Sequence, residues 1–173
     1  MSSDLTYKDF YKFIEDNFKD KDVILALDTA ARYTGELTSS LPEEITVYVK
    51  KKDSEFDTVK EPFKIKQIVI KSFFKIEYIL DSQGIKYCTD NQIVADILKK
   101  SYFQKKITGF GTLSYNFYRI IEGYFFRYTT ETGIFKLKYE FKLPKKYWKT
   151  LDNYLKSFDE YIECNYEITN LED

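Results

Sequence analysis

The sequence predicts an α+β fold: a small mixed or antiparallel sheet with flanking helices, followed by a C-terminal helix–strand–helix part. Three observations carry that expectation. Apolar residues recur at helical spacing in several windows and at alternate positions in others. The strand-like windows crowd into residues 45–88 instead of alternating regularly with helices, which is the pattern of α+β rather than α/β proteins. With 6 Gly and 3 Pro in 173 residues, no stretch reads as an interdomain linker. Residues 1–173 are therefore expected to form one domain, with a possible subdivision into 1–105 and 106–173.

The elements follow in order. Thr6 and Asp9 resemble a loose capping box, and Phe10, Phe13, Ile14 and Phe18 then mark one face of a first helix. Val23–Leu27 is apolar, a strand or the start of a buried helix. Asp28 is placed to cap a short helix through Tyr33, with Gly35 at its C-terminal turn. Beyond Pro42, Ile45–Val49 reads as a strand, and the charged run Lys50–Asp57 as an exposed loop. Phe63–Ile70 alternates as a strand, and Phe74–Leu80 and Ile85–Cys88 flank the turn Asp81–Gly84. Thr89 or Asp90 caps a helix carrying Ile93, Val94, Ile97 and Leu98, closed by Lys99–Ser101. Further on, a helix opens at Thr112 and an alternating strand runs over 134–143. Trp148, Leu151, Leu155, Phe158 and Ile162 mark a final helix.

Composition excludes more than it reveals. There is no histidine, so there is no imidazole base and no histidine metal ligand, which removes Ser-His-Asp, Cys-His and ordinary catalytic zinc chemistry. Cys88 and Cys164 are far apart and read as buried thiols, not as a redox or disulfide framework. The start has no basic and apolar leader, and nowhere do apolar residues run long enough to span a bilayer. A cytoplasmic protein is expected, with no cofactor and no metal.

The formal net charge of −1 conceals segregation. Residues 1–49 carry −5, residues 50–149 carry +10 and residues 150–173 carry −6. A basic middle between acidic ends suits a nucleic-acid face, a docking surface for an acidic partner, or a surface that neutralises itself. If it makes contacts, the candidates are Lys50, Lys51, Lys52, Lys64, Lys66, Arg119 and Arg127. Lys136 and Lys138, on the wet face of the strand at 134–143 near Tyr147 and Trp148, join them. That face equally reads as ordinary solvated surface.

No catalytic motif emerges. The glycines form neither a Walker loop nor a GxGxxG, and Gly109-Phe-Gly111 reads as a turn. Asp53 to Asp57 lacks the glycine hinge and closing Glu of a calcium loop. Asp28, Asp81 and Asp96 are unpaired in sequence, so an enzyme would require the fold to gather them. The expectation is a non-enzyme.

The stretch Asp28-Thr-Ala-Ala-Arg-Tyr-Thr-Gly-Glu-Leu-Thr38, followed by Pro42 and Ile45–Val49, resembles the S-x-x-A-x-Y-x-x-G-L-T helix, proline and strand of the AbiEi-type antitoxin domain. Gly84–Cys88 and Asp90–Leu98 resemble that family's later strand and its E-R-T-x-x-D-x-L helix, with Asp96, Ile97 and Leu98 on the motif's end and Asn91 and Gln92 departing from its Arg-Thr. These are antitoxins of type IV toxin–antitoxin, abortive-infection systems. The resemblance covers residues 24–100, less than half the chain, and leaves no room for the family's N-terminal winged helix. It implies an interaction protein that contacts a partner protein, a cognate toxin or another protein of phage defence or anti-defence. The alternative is a nucleic-acid-binding accessory protein of a phage or mobile element, holding DNA or RNA through its basic middle.

Overall fold

The computed structural model describes residues 4–35, 37, 40–108, 138–139 and 145–149. Within them lies an α+β arrangement of helices on a five-stranded mixed sheet. The strands are β1 (Val23–Leu25), β2 (Glu44–Val49), β3 (Lys64–Val69), β4 (Tyr78–Leu80) and β5 (Lys86–Cys88). Their spatial order is β3-β2-β1-β5-β4. The β1–β2 and β4–β5 pairs are antiparallel; β1–β5 and β2–β3 are parallel. The helices are α1 (Tyr7–Phe18), α2 (Leu27–Tyr33), the single turn α3 (Ser54–Asp57) and α4 (Asp90–Thr108).

Helix α1 forms as its sequence dictates. The Asp9 carboxylate accepts from the backbone N–H of Thr6 at 2.8 Å and from its hydroxyl at 3.1 Å, which closes the first turn and lowers the Asp9 pKa. Phe10, Phe13, Ile14 and Phe18 are buried, each contributing about 1.5–3 kcal/mol of apolar transfer. Phe10 and Phe13 meet Phe63 edge-on, and Phe18 meets Phe56.

Both faces of the sheet are covered around β2. Ile45, Val47 and Val49 are buried, and so are the alternate residues Thr46 and Tyr48. A strand buried on both faces reads as a continuous apolar run, as β1 also does. The Tyr48 face carries α4, since the Tyr48 hydroxyl donates to Asp96 at 2.7 Å. Helix α2 lies beside α4, and Ile93, Val94 and Ile97 close the core beneath it.

Several expectations change. Asp28 does not cap α2; the N-cap position is Ala26, and Asp28 sits in the first turn, 2.5 Å from Arg32. The reason is Leu27, whose φ of +51° turns the chain from strand to helix two residues earlier than an Asp28 cap would. The charged run Lys50–Asp57 is not all loop. Asp53 caps α3 by accepting from the Glu55 N–H, because Phe56 is drawn into the core. Of Phe74–Leu80 only β4 is strand, and Phe73–Lys75 is a 3-10 turn. Helix α4 begins as expected, with Thr89 Oγ1 accepting from the Gln92 N–H, but Lys99–Ser101 does not stop it. Those residues lack the Gly or Pro that terminates a helix.

Arg119, Arg127, Lys136, Cys164, the helix from Thr112 and most of the strand and final helix lie outside the described residues. Within the expected strand, Lys138 and Tyr139 are in a helical turn, where the Tyr139 ring meets Trp148 edge-on at 5.5 Å. Trp148 packs against the core.

Gly35 ends α2 in the left-handed region (φ +85°), with nothing within 4 Å of the place a Cβ would occupy. Gly84 is left-handed too (φ +79°), but a Cβ there would meet Asp20 Oδ1 at 2.3 Å. The Gly84 carbonyl accepts from the Asp20 N–H at 3.0 Å, so the α1–β1 and β4–β5 turns are locked together. Gly35→Ala is expected to cost about 1 kcal/mol, conformational strain alone. Gly84→Ala also displaces the carboxylate end of the exposed Asp20 side chain and is expected to cost about 1–2 kcal/mol, slightly more than Gly35→Ala. Urea denaturation midpoints distinguish the two; a smaller loss for Gly84→Ala than for Gly35→Ala would refute the close approach of the Asp20 side chain to Gly84.

Candidate functional site

The sheet register builds a cleft. Glu44 lies opposite Lys64, and Thr46 opposite Lys66, on the face of β2–β3 that also carries Tyr48. Helix α2 packs on β2 and β5 and helix α4 on β5, while Lys64 and Lys66 on β3 stay exposed. The resulting space, about 420 Å³, is lined by Leu27, Asp28, Pro42, Glu43, Glu44, Thr46, Lys64, Lys66 and Lys100. One end of the sheet thus sets three ammonium groups near three carboxylates.

Their states differ. Asp28 is engaged by Arg32, which is 2% exposed and also donates from Nη2 to the Ser40 carbonyl at 3.1 Å. A buried guanidinium requires such partners, because leaving it uncompensated costs several kcal/mol. Lys64, Lys66, Glu43 and Glu44 have no ion-pair partner within 4.0 Å among the described residues. The Lys100 ammonium has its pKa lowered, first by burial and then by Lys66 close by, with Asp28 acting in the opposite sense.

The lysines singled out by sequence do not form one patch. Lys50 follows the far end of β2, about 20 Å along the strands from the Lys64 level. It pairs with Asp22 at 3.5 Å and stands over the Phe73 ring at 5.4 Å. Asp22 also takes Lys86, which is the first cause of its lowered pKa. Lys51 and Lys52 are exposed beside Lys50. Lys138 stands over the Trp148 ring at 5.2 Å. Among the described candidates only Lys64 and Lys66 share the cleft. Lys100 was not singled out, although it lies one helical turn beyond Asp96 and so on the same side of α4.

The three aspartates are not gathered. Asp28 holds Arg32, Asp81 accepts a short hydrogen bond from the Tyr33 hydroxyl, and Asp96 accepts from Tyr48 and, at 2.9 Å, from Gln92. Desolvation raises the Tyr33 and Tyr48 phenols, and their carboxylate partners add to it. Cys88 is fully buried and its thiol is pushed well up by burial, which suits an inert core residue. Asp53, Glu55 and Asp57 serve α3, with Gln67 donating to the Asp53 carbonyl and to Asp57. Among the described residues no cluster of acids or cysteines has the arrangement to hold a metal ion. Nor is any helix there long and apolar enough to cross a membrane.

A second surface lies at the other edge of the sheet. Strand β4 is outermost, and Tyr78, Ile79 and Leu80 are all exposed, Leu80 by 58%. Phe74, just before it, is 81% exposed. Lys75 and Lys86 stand over the Phe74 and Tyr78 rings at 5.9 and 5.8 Å. Sequence alternation missed this patch, because an exposed apolar strand reads like a buried one.

No family model matches the chain, no curated protein matches it, and no solved structure matches it.

Burial raises the Asp96 carboxyl pKa, against the lowering effect of its bonds from Tyr48 and Gln92. The folded state therefore binds the proton more tightly than the unfolded chain. Stability contributed here is full below the ordinary value of 3.8 and falls as pH rises through the raised one. Asp96→Asn keeps the shape and removes the charge. It is expected to leave the urea midpoint unchanged near pH ~3 and to raise it near pH ~7. A midpoint lowered equally at both values would refute this.

Proposed function

We propose that the protein is a non-enzymatic binding module, an antitoxin-like domain that docks a partner protein against the β4 edge. The observation that carries this reading is the exposed row Phe74, Tyr78, Ile79 and Leu80 beside a strand edge that no other described strand pairs with. Soluble proteins ordinarily shield such edges with charge or cover them, because the free N–H and C=O groups template another strand. A partner that adds an extended segment would satisfy those groups and bury the side chains. Lys75 at the rim favours a segment with an acidic flank.

The antitoxin element of the proposal rests on the resemblance of residues 24–100. Supporting it, the resembling pieces interlock: α2 and β2 join through the Thr46 N–H donating to Thr29 Oγ1 at 2.8 Å, and β2 and α4 through Tyr48 and Asp96. Nucleic-acid binding by the basic middle has weaker support. Its described lysines divide between opposite ends of β2–β3, and one group is partly neutralised by Asp22.

Co-expression with the product of the neighbouring gene tests the proposal. A stable complex is expected by size-exclusion chromatography with light scattering. Phe74→Ala and Leu80→Ala are each expected to weaken it by about 2 kcal/mol while leaving thermal stability nearly unchanged, since both side chains are exposed in the free protein. No complex, or one indifferent to both substitutions, would overturn it.

A further inference from the structure

We propose that the cleft beside β3 binds a small sugar phosphate of mononucleotide size, its phosphate on Lys64, Lys66 and Lys100 and its hydroxyls on Glu43 and Glu44. This goes beyond partner docking and does not depend on it, since the cleft and β4 lie at opposite edges of the sheet.

Size is the first argument. About 420 Å³ falls within the range of small-molecule sites. Register is the second. Lys64 and Lys66 project from the same face of β3, two residues and about 7 Å apart, so that one phosphate can take an ammonium on either side. Charge is the third. Glu44 lies directly across from Lys64 in the ladder, yet no ion pair joins them among the described residues. Neither side chain neutralises the other, and a ligand carrying a phosphate and hydroxyl donors can engage both.

The acids also select against longer polyanions. A polynucleotide strand laid through the cleft would carry further phosphates past Glu43 and Glu44, whereas a single phosphate presents its sugar there. Leu27 and Pro42 supply an apolar wall on which a sugar or base can rest, and Thr46 adds a hydroxyl.

Calorimetric titration of the full chain with AMP, ribose 5-phosphate, inorganic phosphate and adenosine tests the proposal. AMP and ribose 5-phosphate are expected to bind one to one, at least about tenfold tighter than phosphate or adenosine alone. Lys64→Gln with Lys66→Gln should weaken both by about tenfold or more. Glu43→Gln with Glu44→Gln should weaken ribose 5-phosphate without weakening inorganic phosphate. All four residues line the open cleft and Lys64 and Lys66 are exposed, so unchanged thermal unfolding checks that the variants fold. Three results would overturn the proposal: no saturable binding of AMP or ribose 5-phosphate, inorganic phosphate binding equally well, or affinity indifferent to the lysine pair. Binding confined to oligonucleotides, falling steeply with salt, would also overturn it and assign the face to nucleic acid.

Discussion

The fold depends on a three-residue strand. β1 is the central strand of the sheet, yet it consists only of Val23, Ile24 and Leu25. It must hold β2 on one side and β5 on the other, then leave the sheet at once. The exit runs through Leu27 in the left-handed region, a conformation that costs an L-residue about 1–2 kcal/mol. Three hydrogen bonds hold it there: the Ala26 N–H to the Thr46 carbonyl at 3.1 Å, the Thr46 N–H to Thr29 Oγ1 at 2.8 Å, and the Ala30 N–H to the Ala26 carbonyl at 3.2 Å. Each contributes about 1 kcal/mol net, enough together to offset the strain. Because the turn is this tight, α2 starts directly at the sheet, and Leu27 and Asp28 arrive on the wall of the cleft.

A second set of constraints ties together segments remote in sequence. Tyr33 bonds Asp81, and Tyr48 bonds Asp96, each across 48 positions. In both, a phenol donates to a carboxylate that would otherwise lose water on burial. Each carboxylate has further donors, Gln83 and Ile85 N–H on Asp81 and Gln92 on Asp96, so the phenol joins an acceptor that is already held in place. The pairs also explain why the aspartates make no shared reactive centre. The fold spends each one on a different joint.

What could be read from the sequence follows from the range of the interactions. Helix α1 was legible because its capping box and its four buried residues lie within one short window. The cap of α2 was not, since Asp28 is a good N-cap type and only the tertiary pull on Leu27 moves the start. Phe56 was hidden inside a charged run, and its burial depends on Phe18 and Lys21, some 35 positions away. The cleft was half legible. Lys64 and Lys66 stood out by type and spacing, but Lys100 joins them only because α4 lays its Asp96 side against Tyr48 of β2, a contact that helical spacing alone does not place. The β4 patch left no signal, because alternation reports which residues differ and not which face is wet.

The two outer strands among the described residues solve the edge problem in opposite ways. β3 presents Lys64 and Lys66, and charge of this kind keeps an edge from pairing with another chain. β4 presents Tyr78, Ile79 and Leu80, and its nearby lysines lie over aromatic rings rather than out in line with the strand. A chain under pressure only to stay monomeric would be expected to treat both edges alike. The asymmetry places the charge of the basic middle where a small anion has room and leaves the other edge apolar where a strand has room. Net charge near zero is then the sum of differently charged surfaces, and the +10 of the central segment describes no single one of them.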